Sequence, residues 1–277
     1  VRTPETGTDF HTFEHSGWQR VAQRYDDLFG RLTSQCLEPM LRAAAARPGC
    51  ALLDVATGPG HLAAAAAARG ANVTGVDFSS TMVEEARRRY PKVRFQEGNA
   101  QALSFHAASF DAVTIGFGLL HFPQPDQALA EAHRVLRPDG RLVFTVWASA
   151  DKAVGLGLIT QAVQQHGILN VGLPDGPPFF RFSDPAECNR TLPGLGFVDV
   201  ESLEVGQVWR FRSAQEWIEG VSRSTVRTAA LLRAQSEEAM QRIRAALTDA
   251  ASRYRQDDGS IALPMPAVLT SARKPSG

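Results

Sequence analysis

Three short segments carry residue types whose spacing could bind a nucleoside. The first is Asp54-Val-Ala-Thr-Gly-Pro-Gly60-His61, a glycine turn between the apolar run Ala51 to Ala56 and a helix-forming stretch that begins at His61. A strand, a glycine turn and a helix N-terminus together aim backbone N–H groups at a ligand's negative group. The second is Gly75-Val-Asp77-Phe78, which puts a carboxylate at a strand end, where it can accept two hydrogen bonds from the vicinal hydroxyls of a ribose. The third is Glu97-Gly-Asn99-Ala100, whose Asn99 amide offers a donor and an acceptor to an adenine edge. Asp77 and Asn99 could each simply cap the turn that follows. Three strand ends supplying one edge favour a shared site.

Two phosphate-binding chemistries fail on spacing. A dinucleotide fingerprint needs glycine in the pattern G-x-G-x-x-G, and the matching register here gives Ala56, Gly58 and His61. A histidine at the third position would obstruct close helix packing. No Gly-Lys-Ser or Gly-Lys-Thr follows the turn, which removes a Walker-type phosphate loop.

The elements that must position these residues alternate between strand and helix. After Ala51 to Ala56 come a helix from His61 to Arg69 closed by Gly70, a strand Asn72 to Val76, and a helix Thr81 to Tyr90 capped by Ser79 or Ser80 and ended by Pro91. Val93 to Glu97 and Phe110 to Ile115 read as strands and Asp126 to Leu136 as a helix. A turn Arg137-Pro-Asp-Gly140 then leads into a fifth strand, Arg141 to Trp147. Parallel strands need crossovers, so the pattern predicts an α/β, doubly wound sheet buried on both faces. Beyond residue 150 the spacing predicts a helix Asp151 to His166, an ordered loop Leu169 to Ser183 and a strand Phe197 to Val205. Ser213 to Tyr254 reads as helical with a break at Gly220, and Pro266 to Arg273 as a last strand. No linker separates these parts, and the 277 residues read as one domain: an N-terminal helical segment over 10–48, a core over 49–150 and a loop, helical insertion and last strands over 151–277.

Composition narrows the partners. With 29 basic and 29 acidic side chains and 44% hydrophobic residues, the chain has the make-up of a soluble globular protein with no general attraction for nucleic acid or an anionic membrane. Its longest apolar stretch, Leu62 to Ala68, falls far short of the ~20 residues that cross a bilayer. The opening Val1-Arg-Thr-Pro-Glu5 has no secretory pattern, and a cytoplasmic location is the expectation. Cys36, Cys50 and Cys188 suit neither a disulfide framework nor a metal site and read as reduced packing residues.

The stretch from 50 to 148 resembles the class I S-adenosylmethionine-dependent methyltransferases, in particular the quinone-biosynthesis-like and small-molecule group. The matching segments are Leu52-Leu-Asp-Val-Ala-Thr-Gly-Pro-Gly60, Gly75-Val-Asp-Phe-Ser79 with Met82, Gly98-Asn-Ala100, Phe110-Asp-Ala-Val113 and Arg134-Val-Leu-Arg-Pro-Asp-Gly-Arg-Leu142. The resemblance implies a mostly parallel seven-stranded, Rossmann-like sheet with an N-terminal lid, and S-adenosyl-L-methionine as cofactor. It also implies a cofactor site drawn from Tyr25, Ala56, Gly58, Gly60, Asp77, Phe78, Met82, Asn99, Ala100 and Phe117. Ala56 stands where the family usually has its first glycine, and Asn99 replaces a frequent aspartate. Leu142-Val-Phe-Thr-Val-Trp147 lacks the Glu-x-Ser ending of true quinone-biosynthesis members, so that substrate does not carry over.

What the resemblance implies for chemistry is an in-line methyl transfer in which positioning dominates. Gly116-Phe-Gly-Leu-Leu-His121-Phe-Pro123 occupies the stretch that lines the methionine end of the cofactor in the family, so His121 could serve as general base, or else as a structural histidine that orients the loop. An Asn/Asp-Pro-Pro-Tyr motif and a Pro-Cys nucleophile are both absent, which argues against nucleic-acid substrates. Trp18, Tyr25, Phe179 and Phe180, with Phe182, Trp209 and Trp217, are aromatic residues outside the sheet that suit a flat or greasy small-molecule acceptor and a closing lid, or else, taken singly, plain core packing. The competing readings are a cofactor-binding protein without turnover and a dinucleotide-dependent oxidoreductase, the latter disfavoured by His61. Oxygen, nitrogen and carbon all stand open as the attacked atom, and the oligomeric state is left open as well.

Overall fold

The structure is a computed structural model that describes residues 9–276, so the Val1 to Glu5 stretch lies outside the described residues. The sequence reads as one domain, and the described residues pack as two compact units. One, here the sheet unit, comprises Thr33–Ala148, Gly176–Val205 and the chain from Ala267 onward; the other, the helical unit, comprises the chain up to Leu32, Ser149–Asp175 and Gly206–Pro266.

The sheet unit is built on seven of the nine strands among the described residues: β1 (Ala51–Val55), β2 (Asn72–Asp77), β3 (Arg94–Glu97), β4 (Phe110–Gly116), β5 (Leu136–Trp147), β6 (Val198–Val205) and, last in sequence, β9 (Ala267–Arg273). Their order is β3-β2-β1-β4-β5-β9-β6. All neighbours pair in parallel except β9, which is antiparallel to both β5 and β6. β1 is apolar on both sides because it is central, with Leu52 and Leu53 fully covered. Helices His61–Ala68, Ser80–Arg89 and Pro125–Val135 supply the crossovers that parallel pairing demands. Ser79 caps the second of these, its Oγ accepting from the Met82 N–H at 3.2 Å, and three arginines in its last turn favour the helix dipole. Ala128, Leu129, Ala132 and Val135 of the third helix pack into the main core with Cys188 and Leu192. The last two belong to helix Pro185–Gly194, which the sequence pattern did not suggest. All three cysteines are free and buried, and burial pushes the Cys36 thiol up to about 12.

Two expected boundaries move for physical reasons. Arg137 to Gly140 is not a turn before the strand but part of β5, bent by a register shift against β4 between Phe110 and Ala112. Backbone bonds from Asp139 N to Lys274 O and from Lys274 N to Gly140 O keep it in the sheet. In the helical unit, the expected break at Gly220 lies instead at Thr225. Helix Ala214–Ser224 runs through Gly220, where a Cβ would come within 2.5 Å of Leu28 Cδ1. Thr225 Oγ1 donates to Val221 O and accepts from Ala229 N, closing one helix and opening the next, Arg227–Arg233.

The helical unit also holds helices Val154–His166 and Glu237–Ser252 and a two-stranded antiparallel ladder of β7 (Val208–Phe211) and β8 (Ile261–Pro264). Its N-terminal helix is Phe10–Tyr25, capped by Asp9 and continued by a π-helical turn Asp26–Gly30. Trp209 and Trp217 are buried in this unit, and Trp209 Nε1 donates to Leu28 O at 3.0 Å. Among the described residues no helix is long and apolar enough to cross a membrane.

Candidate functional site

β2, β1 and β4 are parallel neighbours, so the turns that follow them leave the sheet at the same edge. The chain winds outward from β1 to β2 and β3 and then crosses to β4 on the other side of β1. This is a topological switch point, where open α/β sheets bind ligands. The turn after β1 reverses by taking Ala56, Gly58 and Gly60 through positive φ values of 54°, 53° and 86°. Gly60 starts the His61 helix from the left-handed region, and a Cβ on it would lie 2.7 Å from the Phe95 ring, so only glycine fits. Gly58 differs: a Cβ there would meet nothing within 4 Å. The backbone of the turn is open on that side.

Asp77 caps the turn that follows it and also reaches the glycine turn after β1. Its Oδ1 accepts from Ser79 N at 2.9 Å, capping the turn after β2. Its Oδ2 accepts from Gly58 N, also at 2.9 Å, which ties the end of β2 to the glycine turn. Behind the turn, buried Asp54 accepts from Thr57 Oγ1 at 2.6 Å and from Thr114 Oγ1 of β4 at 2.8 Å. Burial raises its carboxyl to about 6; the two hydroxyl bonds oppose that rise and the nearby Asp77 adds to it.

At the end of β3, Gly98 N donates to Asp77 O, and Asn99 is exposed, with Oδ1 accepting from Gln101 N at 2.9 Å. That bond engages the Asn99 oxygen in a local turn, and the amide nitrogen is the donor of the side chain. The following segment is anchored by the helix Pro125–Val135: Glu131 accepts from Leu103 N, while Arg134 donates to Leu103 O and Phe105 O. Ala100 is buried, Phe78 half-buried, and Met82 buried.

The turn after β4 is made of larger side chains. Phe117 adopts φ of 55°, held by its N–H bond to Thr145 O of β5 at 2.9 Å. Its ring stacks on Trp147 at 4.2 Å and 30°. Non-glycine residues in this region are strained and occur where the surroundings enforce them, often at ligand sites. Trp147 stands at this candidate site through that stack, and sequence reasoning did not name it there. Its signal was the aromatic end of an apolar strand, which reads equally as core. His121 closes the one-turn helix Leu119–His121, its N–H bonded to Gly118 O, and its ring is half-buried.

The methyltransferase domain family matches residues 53–144. A demethylmenaquinone methyltransferase of Beutenbergia cavernae is 41% identical over 150 residues, covering 50% of this chain and 62% of that protein. The chain spans between 37% and 62% of the length of the first curated relatives it matches. A ubiquinone/menaquinone biosynthesis C-methyltransferase UbiE of Rhodopseudomonas palustris is 37% identical over 218 residues, covering 69% of this chain and 86% of that protein. The chain belongs to the class I S-adenosylmethionine-dependent methyltransferases. The [4+2]-cyclase SpnF shares the fold, with a TM-score of 0.61 at 20% identity, over 100% of this chain and 99% of that one.

Within this chain the family match ends at Phe144, so it takes in both turns, Asp77 and Asn99 but stops short of Trp147 and of the loop with Phe179 and Phe180. The structure thus gathers Ala56, Gly58, Gly60, Asp77, Phe78, Asn99, Ala100, Phe117 and His121 at one sheet edge, with Met82 buried in the helix behind it. Phe179 and Phe180 belong to the same unit, half-buried and edge-to-face at 4.9 Å. Trp18 and Tyr25 belong to the helical unit, where Trp18 Nε1 donates to buried Glu14 and Tyr25 lies between Trp18 and Phe29 in an aromatic row.

Proposed function

We propose that the sheet unit binds S-adenosyl-L-methionine across the turns after β1, β2 and β3 and that the chain transfers its methyl group to a small aromatic or hydrophobic acceptor beside the turn after β4. S-adenosylmethionine, when bound, supplies an electrophilic methyl carbon on a sulfonium. The observation that carries the reading is the Gly58–Asp77 bond at the switch point: it sets the strand-end carboxylate of β2 directly beside a glycine turn whose backbone is open at Gly58. Asp77 would hold the ribose, Asn99 Nδ2 would donate to the adenine, and Ala56, Gly58 and Gly60 would let the cofactor approach the backbone. The Phe117–Trp147 stack gives a flat apolar surface at the next strand end and keeps water from it. A naphthoquinol-type ring is the first acceptor to test, because relatives are named for demethylmenaquinone, although Leu142-Val-Phe-Thr-Val-Trp147 lacks the Glu-x-Ser ending.

His121 would take the acceptor's proton on a ring nitrogen when that proton must leave. His121→Ala should then lower turnover by about 100-fold or more while S-adenosylmethionine affinity stays nearly constant. Equal loss of both would instead assign it an orienting role. The deciding experiment offers methyl-labelled cofactor with 1,4-naphthohydroquinone, catechol and flavonol acceptors and follows label transfer. Calorimetric binding without transfer to any acceptor would favour a cofactor-binding protein without turnover, and no binding at all would remove the reading.

A further inference from the structure

One side chain fixes the phenylalanine loop of the sheet unit. Arg181 pairs bidentately with Asp126, Nη1 to Oδ1 at 2.7 Å and Nη2 to Oδ2 at 3.1 Å. Its Nε donates to Glu187 Oε1 at 2.7 Å, and the guanidinium lies 4.7 Å from the centroid of the Phe182 ring. The two carboxylates come from different helices. Asp126 sits in the first turn of Pro125–Val135, the helix that opens just after the His121 turn, and buried Glu187 in the first turn of Pro185–Gly194, where Thr191 Oγ1 also holds it. Phe182 alone reaches the core, edge-on to Phe144 of β5. Phe179 and Phe180 stand outside that anchor, half-buried.

Phe182 by itself would keep the loop attached. What Arg181 adds is direction: a planar fork bound to two helices sets the angle at which the chain leaves the core, and so where the two preceding rings stand relative to the His121 segment. We propose that Arg181 is a positioning residue for the methyl acceptor, holding Phe179 and Phe180 as one wall of the acceptor site against the turn that carries His121. This rests on the methyl-transfer reading above and names the residue that sets its acceptor specificity.

The test uses Arg181→Met, which keeps length and loses the fork, Arg181→Lys, which keeps charge and loses the bidentate geometry, and Asp126→Asn. With 1,4-naphthohydroquinone as acceptor, Arg181→Met should raise KM about tenfold or more, leave kcat within about threefold and leave the calorimetric affinity for S-adenosylmethionine nearly unchanged. Hydrogen exchange of residues 178–183 should rise in step. Arg181→Lys should fall between wild type and Met, and adding Asp126→Asn to Arg181→Met should change KM little further, since the pair acts as a unit. Two results overturn the proposal: an unchanged KM despite a loosened loop, or a parallel loss of melting temperature, kcat and cofactor affinity, which would make Arg181 a fold-stabilising residue only. Either leaves methyl transfer by the wild type standing. A wild-type chain that neither methylates nor, by saturation-transfer NMR with S-adenosylhomocysteine present, binds a ring acceptor overturns both readings.

Discussion

The turns after β1 and β4 leave neighbouring strands at the same edge, and both pass through the left-handed region, at Ala56 and at Phe117. They are built in opposite ways. The first uses small residues and backbone, held by two buried carboxylates, Asp54 and Asp77. The second uses large rings, with Phe117 pressed on Trp147 and held by a backbone bond across to β5. A turn of backbone and small side chains suits a ligand common to a whole family, because little in it can vary without losing the conformation. A turn of aromatic side chains can change its surface while the strand beneath it stays the same. On the proposed reading, conserving the cofactor and varying the acceptor therefore need no separate domains.

If this division is right, the carboxylates behind the first turn should dominate its energetics. The largest effect belongs to Asp54. Its folded-state carboxyl, raised to about 6 from 3.8, contributes stability that is fully present below pH 3.8 and lost as the pH rises through about 6. Over that window the wild type should lose up to about 3 kcal/mol that Asp54→Asn does not lose. Urea unfolding at pH 4, 5, 6 and 7 would show the two stability curves diverging. Parallel curves would mean that the carboxyl titrates alike in the folded and unfolded chains.

Asp77 comes next. Charge-assisted hydrogen bonds are worth roughly 1.5 to 3 kcal/mol. Asp77→Ala should thus weaken S-adenosylmethionine binding by about 10-fold to 150-fold in calorimetric titration. Because Asp77 also holds Gly58 N and Ser79 N, the variant should be compared with Asp77→Asn, which keeps an acceptor for one of them. Unchanged affinity in both variants, with the fold intact, would leave Asp77 as a capping residue alone.

What could be read in the sequence follows the same division. The five strands from 51 to 147, the Ser79 cap and the Asp77 strand end were legible because each is set by local spacing: apolar runs, glycine punctuation and a capping hydroxyl. The rest depends on partners far along the chain. Arg181 gains its meaning from Asp126, 55 residues away, and nothing near it in sequence announces that contact. The β7–β8 ladder joins Val208–Phe211 to Ile261–Pro264 across three helices. Gly220 reads as a helix breaker, yet its absent side chain makes room for Leu28. Trp147 carries no polar pattern at all, and only its stacking on Phe117 marks it.

The smallest effect tests whether the two turns are coupled. Ala56 stands where the family usually has glycine, and a residue with a Cβ pays about 1–2 kcal/mol to adopt the left-handed region. The neighbouring turn accommodates it: a Cβ on Gly118 would lie 2.8 Å from Ala56 Cβ, 3.0 Å from Ile115 Cγ2 and 3.2 Å from Phe122 Cζ. Gly118 has φ of −90°, so Gly118→Ala meets no backbone strain and its cost is contact alone, about 1–3 kcal/mol of overpacking. Ala56→Gly removes the closest of those contacts and relieves the strained φ, but it gains chain entropy in the unfolded state and should change stability by less than about 1 kcal/mol by itself. The informative quantity is the coupling. In the double variant the Gly118→Ala cost should shrink by about 0.5–1 kcal/mol, with the Ile115 and Phe122 contacts accounting for the remainder. Strictly additive stabilities would show that the turn after β4 yields freely around the new methyl group, and that the glycine lost at position 56 was not compensated at 118.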